Sequence, residues 1–383
     1  MTLVVDRPRT TPTQSQTHAL IIGVGTYPYL PGGGQTPAAS PFNMDQLESP
    51  PVSAMAFANW MIDSHNNPQA PLGSVELLVS GGHFRRTDGT TSPVDDPAFE
   101  ACRTAAKAWN GRLQQPDDVA VFYCCGHGLQ PNAVKTTLLA SDFANPAEGD
   151  WENAIDFDHT LLAMNASRSQ RQVYILDACR NVADQAQNYT DVKPRALVTL
   201  SRPSASKAQD LLILSAAMAG HTAHADPGAT VSWLTTDLIA ALNDSAAWST
   251  VRGGFAVTTS SLKDEVSRLM RCRVQPNGDP AYCDPKHQAN LSITRLHITK
   301  QPPLVTATVD CFPDSELEHA ELHARPKTAG LTGSSRPPTP RPWKVDLRAG
   351  LYDFEARFAS GRPSGVESNV IVFPPDPECT ITV

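Results

Sequence analysis

The stretch "QVYILDACRN" (172–181) decides how this chain is read. Val173 to Leu176 form an apolar run suited to a strand buried on both faces, because a parallel sheet covered by helices leaves neither side to water. The run stops at Asp177, and two positions on stands Cys179, followed by Arg180 and Asn181. A cysteine just past a strand end is either a packed thiol or a nucleophile. The choice turns on what the rest of the chain delivers to the same end of the sheet.

Outward from this strand the texture repeats. "HALIIGVG" (18–25), "SVELLVS" (74–80), "DVAVFYCC" (118–125) and "DLLILSAA" (210–217) are further apolar runs. Between them, "VSAMAFANWMID" (52–63) spaces Met55, Ala58 and Ile62 at three and four, with Phe57, Trp60 and Met61 on a neighbouring face, which predicts a well-buried helix. Helices are also expected over 97–113, entered at Asp95-Asp96-Pro97, over 156–167, and over 232–243 entered from Ser232. Alternating strands and helices predict an α/β domain whose mostly parallel sheet carries helices on both faces. After about residue 297, period-2 strands such as "LVTATVDC", "WKVDLRAG", "YDFEARF" and "NVIVF" predict an all-β sandwich, a module for binding or docking. Residues 1–16, rich in Thr, Pro and Gln, are expected to be disordered.

The bulk numbers narrow the class. At 383 residues the chain fits one large domain plus a smaller one. A net charge of −8 and no long basic run exclude a general nucleic-acid binder. The eight cysteines show no C-x-x-C pair and no zinc-like spacing with histidines, so neither a metal nor a disulfide framework is expected. The first residues lack the apolar segment of a secretory signal, and nowhere do roughly 18 apolar residues run together. These features predict a soluble, cytoplasmic protein that needs no cofactor and acts on neither nucleic acid nor membrane.

In such a sheet, reactive groups gather where strands end at their carboxyl edge. Two ends qualify. One is "CCGHG" (124–128), where glycines flank His127, and the other places Cys179, 52 residues later, just past its strand. A thiol is mostly protonated at neutral pH and needs a neighbouring histidine to accept its proton. Acyl transfer also needs donors for an oxyanion, and the backbone N–H groups of Gly128 and Cys179 are the candidates. Cys124 and Cys125 read as core residues, and His221 and His224 as solvated loop histidines. The "GVG" of 23–25 lacks the third glycine of a dinucleotide site, with Pro28 in that position. Trp233 is read as the wall of a substrate subsite.

Taken together, these segments resemble the caspase-like cysteine peptidases: caspases, metacaspases, paracaspases and their bacterial relatives, whose histidine precedes the cysteine by about 50 residues. "HALIIGVGTY" resembles the family's first strand, "CCGHG" its histidine motif, "VYILDACRN" its cysteine motif, and "LILSAAMAGHTAHAD" with "SWLTTDLIAALN" its small-subunit strand, loop and helix. The resemblance implies a caspase-like three-layer sandwich with a six-stranded sheet over 17–297. The large part is 17–180, a connecting segment 181–209 and the small part 210–297, with the sandwich domain at 298–383. It implies a Cys179–His127 dyad. Asp177, two residues before the cysteine, would line the pocket for the side chain before the cut and favour Arg or Lys, and alternatively it caps the next helix. Relatives carry a second pocket acid near the start of the first helix, where this chain has Ser53, and Asp226 is the candidate replacement.

The connecting segment holds Lys193, Arg195, Arg202 and Lys207, so self-cleavage there is expected. Kinship further implies a zymogen that answers an upstream protease or regulator in a bacterial stress, cell-death or antiphage circuit. The alternatives are a catalytically silent scaffold that binds a partner through its sandwich, and a thiol acyltransferase or amidase on a similar sheet.

Overall fold

The computed structural model describes residues 1–37, 44–130, 135–148, 151–180, 193–199, 208–250, 254–275, 278–290, 293–359, 362–374 and 377–383. By compactness these fall into two units, Met1–Ile239 with Lys263–Leu296, and Ala240–Leu262 with His297–Val383.

The first unit is built on one sheet. Its strands are β1 (Leu3–Asp6), β2 (Thr17–Gly23), β3 (Leu72–Val79), β4 (Val119–Gly126), β5 (Arg171–Ala178), β6 (Asp210–Ser215) and β7 (Asp284–Ala289). They lie in the order β1-β3-β2-β4-β5-β6-β7. The five inner strands are parallel, while β1 and β7 close the edges antiparallel. All residues of β2, β3 and β4 are buried, as their unbroken apolar runs require.

Helices cover both faces because side chains alternate along each strand. On one face, Leu20, Phe122 and Tyr174 share a core with Phe99 and Trp109 of α2 (Phe99–Arg112) and Phe157 and Met164 of α3 (Phe157–Met164). On the other, Tyr123 stacks on Phe57 of α1 (Ser49–Asp63), ring centroids 5.0 Å apart, and bonds Thr235 of α4 (Trp233–Ala240). The expected three-layer α/β architecture is therefore present, with seven strands in place of six.

The added strand is β1, which corrects the expectation that residues 1–16 are disordered. Composition reports whether a segment can build its own core and is blind to one that borrows an edge. Here Leu3–Asp6 pairs with β3, and Arg9 reaches the fully buried Asp118 at 2.7 Å. The expected helix 232–243 also ends early, at Ala240, and a π-helical turn, Ala241–Ser245, follows.

In the second unit, β8 (Leu304–Phe312), β11 (Trp343–Arg348) and β14 (Glu378–Thr382) form a sheet in the order β11-β8-β14. A second sheet, β10-β9-β12-β13, uses β9 (Ala320–Pro326), β10 (Ser334–Arg336), β12 (Gly350–Phe358) and β13 (Gly365–Val372). Val305, Ala307 and Val309 of the first sheet share one core with Leu322, Tyr352 and Phe354 of the second, which makes a sandwich. Residues 240–262 group with this unit, where Asp244 pairs with Arg348 at 2.7 Å and accepts the Leu304 N–H.

Candidate active site

Strand pairing brings the two sequence motifs together. β4 and β5 are in register, Cys125 opposite Asp177 and Gly126 opposite Ala178, so His127 and Cys179 each stand one residue past the last pair. The next residue, Gly128, lies against the backbone of the cysteine. A Cβ there would come within 2.3 Å of the Cys179 carbonyl oxygen and 3.0 Å of the Ala178 Cβ. Only a residue without a side chain fits that approach.

His127 is fixed from three directions. Its backbone N–H donates to the Tyr27 hydroxyl at 2.8 Å, and the two rings lie 4.9 Å apart. The Tyr27 hydroxyl donates in turn to the Val24 carbonyl at 3.3 Å. The imidazole Nε2 sits 2.8 Å from the Asp45 carbonyl oxygen. A carbonyl only accepts, so Nε2 carries the proton and, in the neutral ring, Nδ1 holds the lone pair. Burial pushes the imidazole below its ordinary value, and the Asp45 carbonyl opposes this.

The Cys179 sulfur accepts the Ala223 N–H at 3.3 Å. Burial pushes its thiol up, the nearby Asp177 adds to this, and the Ala223 N–H works against it. Both shifts favour the uncharged forms, a neutral thiol and a neutral imidazole. Arg180, just after the cysteine, is anchored at both backbone groups, its N–H to the His221 carbonyl and its carbonyl to the Gly220 N–H, each at 2.9 Å. Its guanidinium pairs with Asp284.

Asp177 is 3% exposed and points between the sheet and α4. Its Oδ2 accepts hydrogen bonds from Thr235 at 2.6 Å, from Tyr123 at 3.3 Å and from Ser232. Burial pushes its carboxyl up from the usual range, and these hydroxyls hold it down. Ser53 stands beside this cluster, where its hydroxyl accepts the Ser232 N–H at 2.9 Å. Asp226 follows Ala225, which bridges Ser232. The Asp226 carboxylate accepts the indole N–H of Trp233 at 3.0 Å, and that half-buried ring also faces His224 at 5.2 Å and the Arg273 guanidinium at 5.5 Å. Asp226 and Trp233 are thus bonded to each other, and none of the hydroxyls that hold Asp177 comes from them.

Sequence reading missed Tyr27, Asp45 and Ala223. Two of these act through backbone atoms, which any residue supplies, so composition carries no signal for them. Tyr27 left a trace as an aromatic in a loop straight after a buried strand. Cys124 and Cys125 are buried as expected, and His221 is exposed. All eight cysteines are free thiols. Among the described residues no group of three or more His, Cys, Asp or Glu side chains is placed to hold a metal ion, and no helix is long and apolar enough to cross a membrane.

A buried parallel sheet with a glycine-flanked histidine and a cysteine at adjacent strand ends defines the class of caspase-fold cysteine peptidases. The family model described as the caspase domain matches residues 16–295, and the chain belongs to that family. Among solved structures, caspase-1 from Spodoptera frugiperda is similar at 9% identity and a TM-score of 0.42, over 78% of this chain and 96% of that one. No curated protein matches the chain.

Proposed function

We propose that this chain is an active cysteine endopeptidase that cuts protein substrates after Arg or Lys through Cys179 and His127. The observation that supports the reading is the in-register pairing of β4 and β5, whose last pair, Gly126 and Ala178, is followed on one strand by His127 and on the other by Cys179, with Asp177 buried two residues before the cysteine.

In this mechanism His127 Nδ1 takes the thiol proton as the sulfur attacks the scissile carbonyl, and Nε2–H stays bonded to the Asp45 carbonyl, which supports the imidazolium that forms. The carbonyl oxygen becomes an oxyanion held by the Gly128 and Cys179 N–H groups. The C–N bond then breaks, Nδ1 returns the proton to the leaving amine, and a thioester remains on Sγ. His127 next deprotonates water, which attacks the thioester, and the thiol is regenerated.

Asp177 supplies the negative charge for a guanidinium or ammonium in the pocket, with Ser53 lending a neutral hydroxyl where relatives carry a second acid. Trp233 and Asp226 border a neighbouring subsite. Cleavage within 181–209, by the enzyme itself or by an upstream protease, releases full activity in this scheme, and a bacterial stress, cell-death or antiphage circuit is the setting that kinship favours.

An arginyl peptide bearing an electrophile at its carbonyl tests this. Covalent attachment at Cys179, lost in Cys179→Ala, supports the peptidase. No attachment under conditions where iodoacetamide modifies Cys179 supports a silent scaffold.

A further inference from the structure

The connecting segment contains four basic residues, and the described part of it, 193–199, shows what becomes of one of them. Arg195 is built into the large part. Its backbone N–H donates to the Ala154 carbonyl and its carbonyl accepts the Asp156 N–H, both at 2.9 Å, so it adds a parallel bridge to the strand Ala154–Asp156. Its guanidinium lies 4.0 Å over the Phe99 ring, donates to the Glu152 carbonyl at 2.7 Å and to Asn153 at 3.2 Å, and pairs with Glu100 at 3.2 Å. Two residues on, Leu197 and Val198 are buried in the large part's core, and the Leu197 N–H donates to the Thr160 hydroxyl at 3.0 Å.

We infer that residues 194–198 are a fixed strap of the large part, and that the bond after Arg195 is spared when the connection is cut. This rests on the proposed preference for basic residues. A peptidase must draw several residues of its substrate, extended, into its cleft, and must seat the basic side chain in its pocket. Arg195 cannot do so while both its backbone groups and its guanidinium are committed here, so cleavage waits on the rare opening of the strap.

The sequence removes two further sites. Lys193 precedes Pro194, and Arg202 precedes Pro203. A proline on the leaving side puts a ring on the nitrogen that must receive the proton, and it restricts the backbone of the residue before it. The fourth basic residue, Lys207, lies outside the described residues, and the two that follow it, Ala208 and Gln209, are tied to Gln170 and Asn290.

Trypsin also cuts after Lys and Arg and is blocked by a following proline, so it reads the strap without relying on the protein's own activity. In Cys179→Ala protein, tryptic cleavage after Arg195 is expected to be at least about tenfold slower in the native state than in urea-unfolded chain. Leu197→Ala, which loosens the strap, is expected to restore it. In wild type, fragment mapping is expected to show no new N-terminus at Ala196. Native cleavage after Arg195 within about twofold of the unfolded rate, or an Ala196 N-terminus in wild type, overturns the inference. Self-cleavage that follows non-basic residues instead overturns the basic preference, and the tryptic rates then decide the strap by themselves.

Discussion

In the proposed mechanism Asp177 carries selectivity, as a buried carboxylate held by the Thr235, Tyr123 and Ser232 hydroxyls. Replacing one partner of a buried, hydrogen-bonded charge pair costs about 2–5 kcal/mol. Asp177→Asn is therefore expected to lower kcat/KM for arginyl peptides on the order of 30-fold or more, with far less effect on an uncharged residue at that position. Since burial raises this carboxyl, its charged form fills in only as pH rises through that raised value, and preference for Arg over a neutral side chain should strengthen with it. A preference that is flat across the carboxylate range and beyond would contradict this.

Cys179 offers a second check. The thiol is raised and the imidazole lowered, both first by burial, so the resting pair is neutral. Alkylation of Cys179 by iodoacetamide should climb with pH through and past the ordinary thiol value of about 8.5. A plateau already reached at pH 6 would show a preformed ion pair. Both residues were legible in the sequence, since a cysteine and a histidine at strand ends are specific residue types at specific places. Asp226 is a candidate from its place after the small-subunit strand, and its bond to the Trp233 indole is set by the direction of its loop, which spacing does not encode.

Among the elements, the paired ends of β4 and β5 matter most, and Gly128 measures how tightly they fit. A methyl group there would sit 2.3 Å from the Cys179 carbonyl oxygen, so the backbone of one strand end must move. Gly128→Ala is expected to lower kcat on the order of 100-fold, as a displacement of about 1 Å in a reacting group does. Circular dichroism should stay that of the wild type. Unchanged kcat would show that the strand ends have more room than the structure gives them. Strand and helix order could be read from the sequence because each inner strand is a short apolar run buried on both faces and the helices between them repeat apolar residues at three and four. The early end of α4 could not, as "SWLTTDLIAALN" keeps its apolar spacing through Ala241 and Leu242, which remain buried in the π-helical turn that follows.

Over the whole molecule, the amino-terminal residues do more than their composition suggests. Asp118 is fully buried and accepts two hydrogen bonds from Arg9, together with the N–H groups of Gln16, Gln114 and Gln115. Arg9→Ala leaves that carboxylate without its cation and should cost about 3 kcal/mol of stability in urea unfolding. A loss below about 0.5 kcal/mol would show that the backbone donors suffice. Long-range pairing of this kind, across 109 positions between Arg9 and Asp118, leaves no local trace in the sequence.

The central claim is a Cys179-dependent cut after a basic residue, and the most direct test is hydrolysis of a peptide panel that differs only at the residue before the scissile bond. Wild type should cut the Arg and Lys members, Arg the faster, and leave the Asp member intact, while Cys179→Ala cuts none. Cleavage of the Asp member in preference to the basic ones, or equal cleavage by Cys179→Ala, would contradict the account.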